Sequence, residues 1–422
     1  MQQSEPRVVI TGMGVVSCFG DDVQTFIDQL LAGRSGVHTI TDFRVDDLPT
    51  KFGAQVPEID TTAWIDRKLA RRVDPIIAWG MVAAKKALLQ AGLLHEASLE
   101  HLDLTRCGVV LGSGMGGMRV FSDGIRTIEA QGPRRLSPFF IPMSLSNMTG
   151  ALLAVDLGFQ GPNYSISTAC ATSNYCILAA ADHIRRGECD VMVAGGTEAP
   201  VDRGGVAGFC ACRALSQQNE EPERASRPWD RRRDGFVMGE GSGALVLESL
   251  DHARHRGAPI LAELLGGATN CDAYHMTEPR PDGRNVRACM AEALRKAGLS
   301  PSDIDYINAH ATSTLAGDRC EILAIRELFA DQLSRLHLNA TKSMIGHSLG
   351  ASGALEAVAV VAALQSGWLH PTLNLEEPEE WIQGIDCCAN QKKEAHPRIA
   401  MTNSFGFGGH NSSMILARAP SL

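Results

Sequence analysis

Short apolar runs rich in β-branched residues alternate along the chain with longer segments of helical periodicity. The pattern predicts strands over residues 7–16, 107–111, 164–168, 191–194, 244–248, 304–308, 399–402 and 413–417. It predicts helices over residues 22–31, 76–91, 171–186, 286–297, 319–329 and 349–366. Several of the strands are apolar on both faces, as in a sheet that is covered on each side. The alternation therefore indicates an α/β protein with helical layers around a largely buried sheet.

The longest apolar stretch, residues 349–364, is interrupted by Ser352 and Glu356. A membrane-spanning helix needs ~18 or more consecutive apolar residues. We therefore predict a buried helix at this point and no membrane segment.

A connector at residues 252–259 separates two halves that have similar patterns. We place a domain boundary near residue 258, between an N-terminal half (1–258) and a C-terminal half (259–422). The composition, with 44% hydrophobic and 21% charged residues, is that of an ordinary globular protein and excludes disorder, collagen and coiled coil as the main architecture. The net charge of −9 argues against a general nucleic-acid binder and leaves room only for a local basic patch.

Two residue types are more frequent than usual, with 42 glycines and 12 cysteines in 422 residues. No Cys-x-x-Cys pair occurs, so neither a zinc ribbon nor a thioredoxin-type motif has its spacing, and no metal site is expected. The first residues, MQQSEPRVVITGMG, contain no apolar signal core, which favours a reducing compartment and free thiols. A transit peptide that had been removed would leave no trace. Most of the cysteines are expected to be small buried residues.

Cys170 lies where a predicted strand ends at Thr168 and a helical pattern begins. A thiol at the N-terminus of a helix meets the positive end of the helix dipole, which stabilises a thiolate. The position favours a nucleophile, with a packing cysteine as the alternative. Cys176, inside the same helical pattern, is expected to be a core residue.

His310 ends a predicted strand, and His347 lies in a glycine-rich turn ahead of the apolar helix. Lys342 precedes His347 by five residues and could hold a neighbouring charge. A cysteine with two histidines suits thioester chemistry, because the sulfur accepts an acyl group while imidazoles donate hydrogen bonds or move protons.

Two glycine-rich segments have alternative interpretations. In FGFGGH (405–410) the glycines permit backbone amides to point at an oxyanion, although a flexible turn is the alternative. His410 in that run has no assignment. Gly112, Gly114 and Gly117 match the G-x-G-x-x-G pattern of a dinucleotide site. The segment that follows is a poor close-packing helix, so a nicotinamide dehydrogenase is disfavoured.

The motifs TACATS, GGTEA, SRPWDRRRDGFVMGEG, CDAYHMT, NAHATST, TKSMIGH and NSFGFGGHN occur in this order over nearly the whole chain. In this combination the chain resembles the β-ketoacyl-acyl carrier protein synthases, the condensing enzymes of type II fatty acid synthesis. It is most similar to the bacterial and plastid group that elongates existing acyl chains. The resemblance implies a thiolase-type five-layer α-β-α-β-α sandwich of two related halves, usually as a homodimer.

The resemblance also implies catalytic roles. Cys170 would take the acyl group from acyl carrier protein as a thioester. His310 and His347 would bind the carbonyl of the malonyl thioester and assist its decarboxylation. The backbone amides of Cys170 and Phe407 would hold the oxyanion, and Phe407 would also act as a gate between the acyl and malonyl sides.

Further residues match the family by motif. Lys342 corresponds to the active-site lysine, and Glu321 corresponds to the acid that supports it. The substrate-binding side chains would be Thr312 and Thr314, which bind the phosphopantetheine arm, together with Met115, Phe209, Phe405 and, from across the dimer, Phe140. The basic residues that match the carrier-protein contact are Arg67, Lys68, Arg71, Arg72, Arg134 and Arg135.

The alternatives within the superfamily share parts of this chemistry. A polyketide ketosynthase would ordinarily act beside a chain-length partner that lacks the cysteine. A non-catalytic acyl-binding or chain-length subunit is disfavoured because Cys170, His310 and His347 are retained, and a thiolase would need a second catalytic cysteine. No dissociable cofactor is implied, since the acyl carrier protein carries the phosphopantetheine. The expected location is bacterial cytoplasm or plastid stroma, and the acyl chain-length preference is left open.

Overall fold

The structure is a computed structural model of the chain, and it describes residues 5–94 and 100–420. Its strands are β1 (Val8–Val16), β2 (His38–Thr39), β3 (Phe52–Gly53), β4 (Cys107–Gly112), β5 (Asn163–Tyr164), β6 (Val191–Glu198), β7 (Gly241–Ser249), β8 (Ala262–Cys271), β9 (Tyr306–Asn308), β10 (His337–Asn339), β11 (Trp368–Leu369), β12 (Lys393–Glu394), β13 (Ile399–Gly406) and β14 (His410–Arg418).

Its α-helices are α1 (Val23–Leu31), α2 (Arg67–Ala70), α3 (Pro75–Gln90), α4 (Met118–Gln131), α5 (Phe140–Ser144), α6 (Met148–Leu157), α7 (Thr172–Arg185), α8 (Arg203–Ala211), α9 (Leu250–His255), α10 (Arg284–Ala297), α11 (Leu315–Leu328), α12 (Lys342–Ile345) and α13 (Ser352–Ser366). Two short 3₁₀ turns, Ala169–Ala171 and Leu349–Ala351, lead directly into α7 and α13.

The main sheet of the described residues has ten strands in the order β10-β9-β13-β14-β8-β1-β7-β6-β4-β5. Its two centre strands, β1 and β8, pair antiparallel only over Val8–Ile10 in β1. Five strands lie on each side of this junction, and they come from before and after residue 258, respectively. The domain boundary near residue 258 stays a prediction.

The helices form three layers around the two groups of strands. Helices α3 and α6 pack on the outer face of the β1-β7-β6-β4 group, and α10 packs on β8 and β14 with α11 beside it. Helices α7 and α13 contact strands of both groups and so form the middle layer. This confirms the expected five-layer α-β-α-β-α order. The apolar helix predicted at 349–366 is the centre of the molecule, with every residue of α13 except its last two buried.

Small residues allow the layers to approach closely. A Cβ at Gly14 of β1 would lie 2.0 Å from the carbonyl oxygen of Ala83 in α3, and one at Gly243 of β7 would lie 2.6 Å from the Ala354 backbone in α13. Since real Cβ contacts are far longer, glycine is required where strand and helix backbones meet. Part of the glycine excess is therefore explained by layer packing.

The strand predictions need two corrections. The predicted strand at 164–168 is limited to Asn163–Tyr164, because the chain turns at Thr168, whose amide donates to Thr172 Oγ1 at 2.9 Å. The segment after the glycine-rich turn is the amphipathic helix α4, in which only Gly124 is buried, as expected of a poor close-packing helix. Strand β8, whose outer half is polar, was not among the strand predictions.

All twelve cysteines are free thiols. Most are buried, as the sequence indicated, but Cys212 and Cys271 are exposed and do not pack in the core. Cys176 is fully buried in the layer between the two groups of strands, as expected.

Candidate active site

Cys170 lies in a strained turn at the entrance to α7. The preceding residue, Ala169, has φ 49°, in the left-handed region that non-glycine residues rarely adopt. This conformation places Cys170 in the 3₁₀ turn ahead of the helix, where its side chain lines a cavity. The geometry is that of a nucleophile presented at a sharp turn.

The Cys170 thiol is 8% exposed, and this burial raises its pKa to about 12. The charge of Lys342 and the backbone amide of Phe407 oppose the increase. Desolvation therefore outweighs the stabilisation of a thiolate that was expected from the helix N-terminus, and the resting side chain is a neutral thiol. A base that removes the proton is needed before the sulfur can react.

The glycine-rich C-terminal segment packs against the cysteine turn. A Cβ at Gly406 would lie 2.6 Å from the Thr168 carbonyl oxygen and 3.0 Å from the Cys170 amide nitrogen. Only glycine permits this approach, which brings the Phe407 amide to the Cys170 sulfur. The two amides expected to hold an oxyanion therefore lie side by side, around the atom that would bond to a substrate carbonyl.

His310 and His347 face the same cavity from the C-terminal half. Their ring centroids are 5.4 Å apart and their planes are nearly perpendicular. His347 Nδ1 is 2.9 Å from Ser352 Oγ, the first residue of α13, which leaves Nε2 for the cavity. The His310 ring packs edge-on against Phe405, at 5.5 Å between centroids. Each ring is thus held in a fixed orientation.

Both imidazoles have pKa values well below the ordinary 6.5. Burial is the main cause, and the positive charge of Lys342 adds to it for both rings. His347 lowers the pKa of His310 further. The rings are therefore neutral near neutral pH, and each can donate one N–H and accept at the other nitrogen.

Lys342 is buried and ion-paired with Glu356 of α13. This corrects the expectation that Glu321 supports the lysine. Glu321, on α11, instead accepts the amides of His310 at 3.0 Å and Ala311 at 2.9 Å, and Nδ2 of Asn403 at 3.1 Å. Its role is to hold the His310 loop, where Ala311 has φ 27°.

The threonines that follow His310 are also held by a buried carboxylate. Thr312 and Thr314 line the cavity, and their hydroxyl oxygens are 3.0 Å apart. Asp318 accepts the amides of Ser313 at 3.0 Å and Thr314 at 3.3 Å. Two adjacent hydroxyls at the rim of the cavity can bind the amide groups of an extended arm.

The cavity has a volume of about 340 Å³ and is lined by residues from both halves. A series of aromatic contacts crosses it. Phe407 lies 6.4 Å from Phe209 between ring centroids, Phe209 lies 5.4 Å from Phe236, and Phe236 lies 5.3 Å from His347. Met115 and Phe209 belong to the apolar cluster that contains Cys170. This cluster provides an apolar region beside the sulfur, formed in part by two of the expected substrate-binding side chains.

Phe140 and the basic residues do not line the cavity. Phe140 is buried within its own chain, where it stacks on Phe121 at 5.6 Å and packs on Gly124. Arg72 lies over the ring of Phe139 at 5.0 Å. Since Phe139 is four residues after Arg135 in the sequence, this contact brings the basic segment at 67–72 next to the chain that follows the basic residues 134–135. The six basic side chains are exposed, and none forms an ion pair with a described residue: Arg67, Lys68, Arg71, Arg72, Arg134 and Arg135.

The glycine-rich turn after β4 is not a phosphate cradle. The carboxylate of Glu198 accepts the amides of Gly114 at 2.7 Å and Met115 at 3.1 Å. These are the N–H groups that would bind a pyrophosphate. Because a carboxylate of the protein occupies them, the dinucleotide interpretation is contradicted.

Several site residues were missed from the sequence. Glu356 gave a signal, as a single charge inside an apolar helix, and Phe236 lies within the motif SRPWDRRRDGFVMGEG, whereas Asp318 follows the motif NAHATST by four residues. Ser352 gave none, because a serine at the start of an apolar helix has many uses. Glu198 was part of the noted run GGTEA but had no assigned role.

Comparison with known proteins identifies the relatives of this site. The family model described as "Beta-ketoacyl synthase, N-terminal domain" matches residues 5–253, and "Beta-ketoacyl synthase, C-terminal domain" matches residues 261–376. The chain is 55% identical over 420 residues to "3-oxoacyl-[acyl-carrier-protein] synthase I, chloroplastic" of Hordeum vulgare, covering 99% of this chain and 90% of the relative.

It is also 44% identical over 412 residues to "3-oxoacyl-[acyl-carrier-protein] synthase 2" of Coxiella burnetii, covering 98% of each chain. Among solved structures, one titled as a type II polyketide synthase acyl carrier protein in complex with its ketosynthase, bound to the hexaketide, superimposes with a TM-score of 0.89. That ketosynthase is 31% identical, and the match covers 99% of this chain and 100% of the other.

The lowered histidine pKa values give a testable pH dependence. We expect the imidazoles of His310 and His347 to stay neutral as the pH falls through 6.5 and to take up protons only in clearly more acidic solution. Replacing Lys342 by Met removes a neighbouring positive charge, so both pKa values should rise toward 6.5. Glu356, whose pKa burial raises to about 7, then loses its cationic partner and binds a proton.

The measurement is an NMR titration with isotope-labelled histidine, with the variants His310→Gln and His347→Gln used to assign the two resonances. A midpoint at or above 6.5 for either ring in the unaltered protein would contradict this electrostatic account.

Proposed function

Because the chain belongs to the β-ketoacyl synthase family, we propose that it catalyses the decarboxylating Claisen condensation of fatty acid elongation. The substrates are an acyl chain bound to Cys170 and malonyl-acyl carrier protein, and the product is β-ketoacyl-acyl carrier protein. The proposal is carried by one observation, the meeting of Cys170 with two neutral histidines and two backbone amides in one cavity.

The first half-reaction is acyl transfer to the cysteine. A neutral imidazole of the pair accepts the Cys170 proton, and the sulfur attacks the carbonyl of the acyl thioester. The amides of Cys170 and Phe407 stabilise the tetrahedral oxyanion. The bond to the carrier protein's sulfur breaks, and that sulfur leaves with the proton. The helix N-terminus of α7 favours the transient negative charge even though it does not ionise the resting thiol.

The second half-reaction forms the new carbon–carbon bond. When the carbon–carbon bond to the malonyl carboxylate breaks, carbon dioxide leaves and the bonding electron pair forms an enolate. The enolate oxygen accepts hydrogen bonds from the N–H groups of neutral His310 and His347. The enolate carbon attacks the acyl carbonyl on Cys170, the bond to sulfur breaks, and the leaving thiolate takes up one proton from the solvent. Burial of both rings strengthens these hydrogen bonds, because water does not compete for the oxygen.

The binding partner in this proposal is an acyl carrier protein. The exposed arginine and lysine side chains on α2 and at residues 134–135 form a local basic surface on a chain of net charge −9. Such a surface attracts an acidic protein and orients its phosphopantetheine arm toward the cavity. Thr312 and Thr314 are placed to bind the arm. The arm comes with the carrier protein, so the enzyme needs no dissociable cofactor of its own.

We also propose a homodimer. Exposed apolar side chains cluster on and around α4 and α5, where Phe121, Phe139, Ile141 and Leu145 are each at least 40% exposed. An apolar surface of this kind is typical of a subunit interface. A soluble compartment, bacterial cytoplasm or plastid stroma, is the proposed location.

A polyketide ketosynthase would use the same residues, and a chain-length subunit would not need the cysteine. Purified protein offered a series of acyl carrier protein thioesters with malonyl carrier protein separates these cases. We expect elongation of saturated acyl chains by two carbons. Acceptance of poly-β-keto chains only, or no elongation, would contradict the proposal.

Cys170→Ala should abolish both acyl transfer and condensation while the protein stays folded, because Cys170 is the cysteine whose sulfur contacts the amides of residues 170 and 407, whereas Cys212 and Cys320 line other parts of the cavity. Product formation is followed by mass spectrometry of the carrier protein, and folding by circular dichroism. The matched control is Cys176→Ala, which removes a fully buried thiol from the same helix and should keep elongation. Normal elongation by Cys170→Ala would overturn the proposed nucleophile.

Replacing Arg67 and Arg71 by Glu should raise the KM for malonyl carrier protein, on the order of tenfold, and leave kcat nearly unchanged, since these side chains guide binding and do not touch the reacting atoms. The salt dependence of KM should weaken as well. Steady-state kinetics at two ionic strengths measures both. The control Arg254→Glu alters an exposed arginine on α9, and a comparable KM change in that variant would refute the local surface.

A further inference from the structure

Glu198, the last residue of β6, is a fully buried carboxylate without a role in the chemistry above. Its Oε1 accepts Ser113 Oγ at 2.8 Å and the Met115 amide at 3.1 Å. Its Oε2 accepts the Gly114 amide at 2.7 Å and the Gly350 amide at 2.9 Å. All four contacts donate to it, and no cation of the described residues lies within ion-pair distance. Burial raises the pKa of this carboxyl above its ordinary value, and the hydrogen bonds from these four donors oppose that increase and favour the ionised form.

The four donors come from two separate loops. Ser113, Gly114 and Met115 form the turn after β4, and Met115 belongs to the apolar cluster around Cys170. Gly350 lies in the 3₁₀ turn between His347 and α13. Glu198 therefore joins the loop on the acyl side of the cavity to the loop that carries a histidine on the malonyl side.

The Gly350 turn depends on this contact for its conformation. Leu349, just before it, has φ 44°, which is strained for a side chain of this type. Glu198 binds the Gly350 amide, and Ser173 of α7 donates its hydroxyl to the Gly350 carbonyl. Hydrogen bonds at both ends of residue 350 fix the backbone that follows His347.

Space around the carboxylate is also restricted. A Cβ at Gly350 would lie 2.5 Å from Glu198 Oε2, and one at Gly114 would lie 2.8 Å from it. The two glycines also contact each other, since the Cβ at Gly350 would lie 2.6 Å from the Gly114 nitrogen. The turns can thus share one carboxylate only because both positions are glycine.

We infer that Glu198 is a positioning residue which ties the Met115 loop to the His347 loop and so sets the separation between the acyl-cysteine and the malonyl-binding histidines. The inference rests on the proposed condensing function. It means that Glu198, which does not touch the reacting atoms, affects how well an acyl chain fits the cavity.

The substitution Glu198→Gln is expected to disturb the Met115 loop and to leave the contact with the His347 loop in place. The amide oxygen of Gln can keep the Gly114 and Gly350 contacts, while its NH₂ group faces Ser113 Oγ and the Met115 amide. The serine hydroxyl can turn to accept, but the Met115 amide then has no acceptor, and a buried unpaired N–H is costly. The disturbance falls on the acyl side, so elongation of long acyl chains should decline on the order of tenfold, and that of short chains less.

The negative charge of Glu198 also acts on the nucleophile, since it raises the pKa of the Cys170 thiol. Glu198→Gln removes this charge, whereas Glu198→Asp keeps it and withdraws the carboxylate from the loops by one methylene. The two variants therefore distinguish the effect of the Glu198 charge from the effect of its hydrogen bonds to the two loops. The ionisation of Cys170 therefore reports the charge of Glu198, and the dependence of the rate on acyl-chain length reports its hydrogen bonds to the two loops.

The experiment compares the unaltered protein with Glu198→Gln, Glu198→Asp and the control Glu248→Gln. Glu248 is an equally buried carboxylate opposite Val191 at the other end of β6, bound to Thr11, His252 and Arg256. Kinetic constants are measured for carrier proteins bearing short and long acyl chains. The rate of alkylation of Cys170 by iodoacetamide is measured against pH by peptide mass spectrometry.

Both Glu198 variants should elongate long chains more slowly relative to short ones, and only Glu198→Gln should shift the alkylation profile to lower pH. The Glu248 control should do neither. Unchanged chain-length dependence in both Glu198 variants, or an equal change in the control, would overturn the inference. The unaltered protein is the control for the proposed function. If that function is wrong, neither the unaltered protein nor any variant will elongate an acyl chain, whereas failure of the inference about Glu198 leaves elongation by the unaltered protein intact.

Discussion

The reacting side chains are held by backbone that is strained at three places. Ala169 beside Cys170, Ala311 beside His310 and Leu349 after His347 all have positive φ, which non-glycine residues rarely adopt. A loop keeps such a conformation only when its surroundings determine it. Here the surroundings are the packed middle layer and buried polar groups that accept or donate at the loop amides. The arrangement of the site depends on this support more than on the side chains that touch substrate.

The same burial sets the electrostatics. It raises the pKa of the Cys170 thiol and lowers the pKa of His310 and His347, so the resting site contains a neutral thiol and two neutral imidazoles. Charge is then formed only during reaction, on a sulfur, a tetrahedral oxygen or an enolate oxygen, where fixed N–H groups already point. Lys342, which is ion-paired with Glu356, places a positive charge near all three groups.

Much of the fold, and the choice of Cys170, His310 and His347 as residues that meet in one cavity, could be predicted, because periodicity, glycine position and long ordered motifs are local properties of the sequence. What could not be predicted were contacts between distant segments. The motif match assigned Glu321 to Lys342, whereas the fold brings α13 and Glu356 to the lysine. The sequence does have the G-x-G-x-x-G spacing of a dinucleotide site. However, the carboxylate of Glu198, 84 residues from Gly114, accepts a hydrogen bond from the Gly114 amide that would otherwise bind a phosphate. The raised pKa of the Cys170 thiol could not be predicted for the same reason, since burial is decided by the whole fold.

The most direct test of this account is to mix the protein with an acyl carrier protein thioester alone and locate the acyl group by intact-mass and peptide mass spectrometry. The account predicts one acyl group per chain, on Cys170, which malonyl carrier protein then removes with release of one carbon dioxide for each β-ketoacyl product. The other eleven cysteines, including exposed Cys212 and Cys271, should stay unmodified. An acyl group on one of those thiols, or product formed without an acyl-Cys170 intermediate, would contradict it.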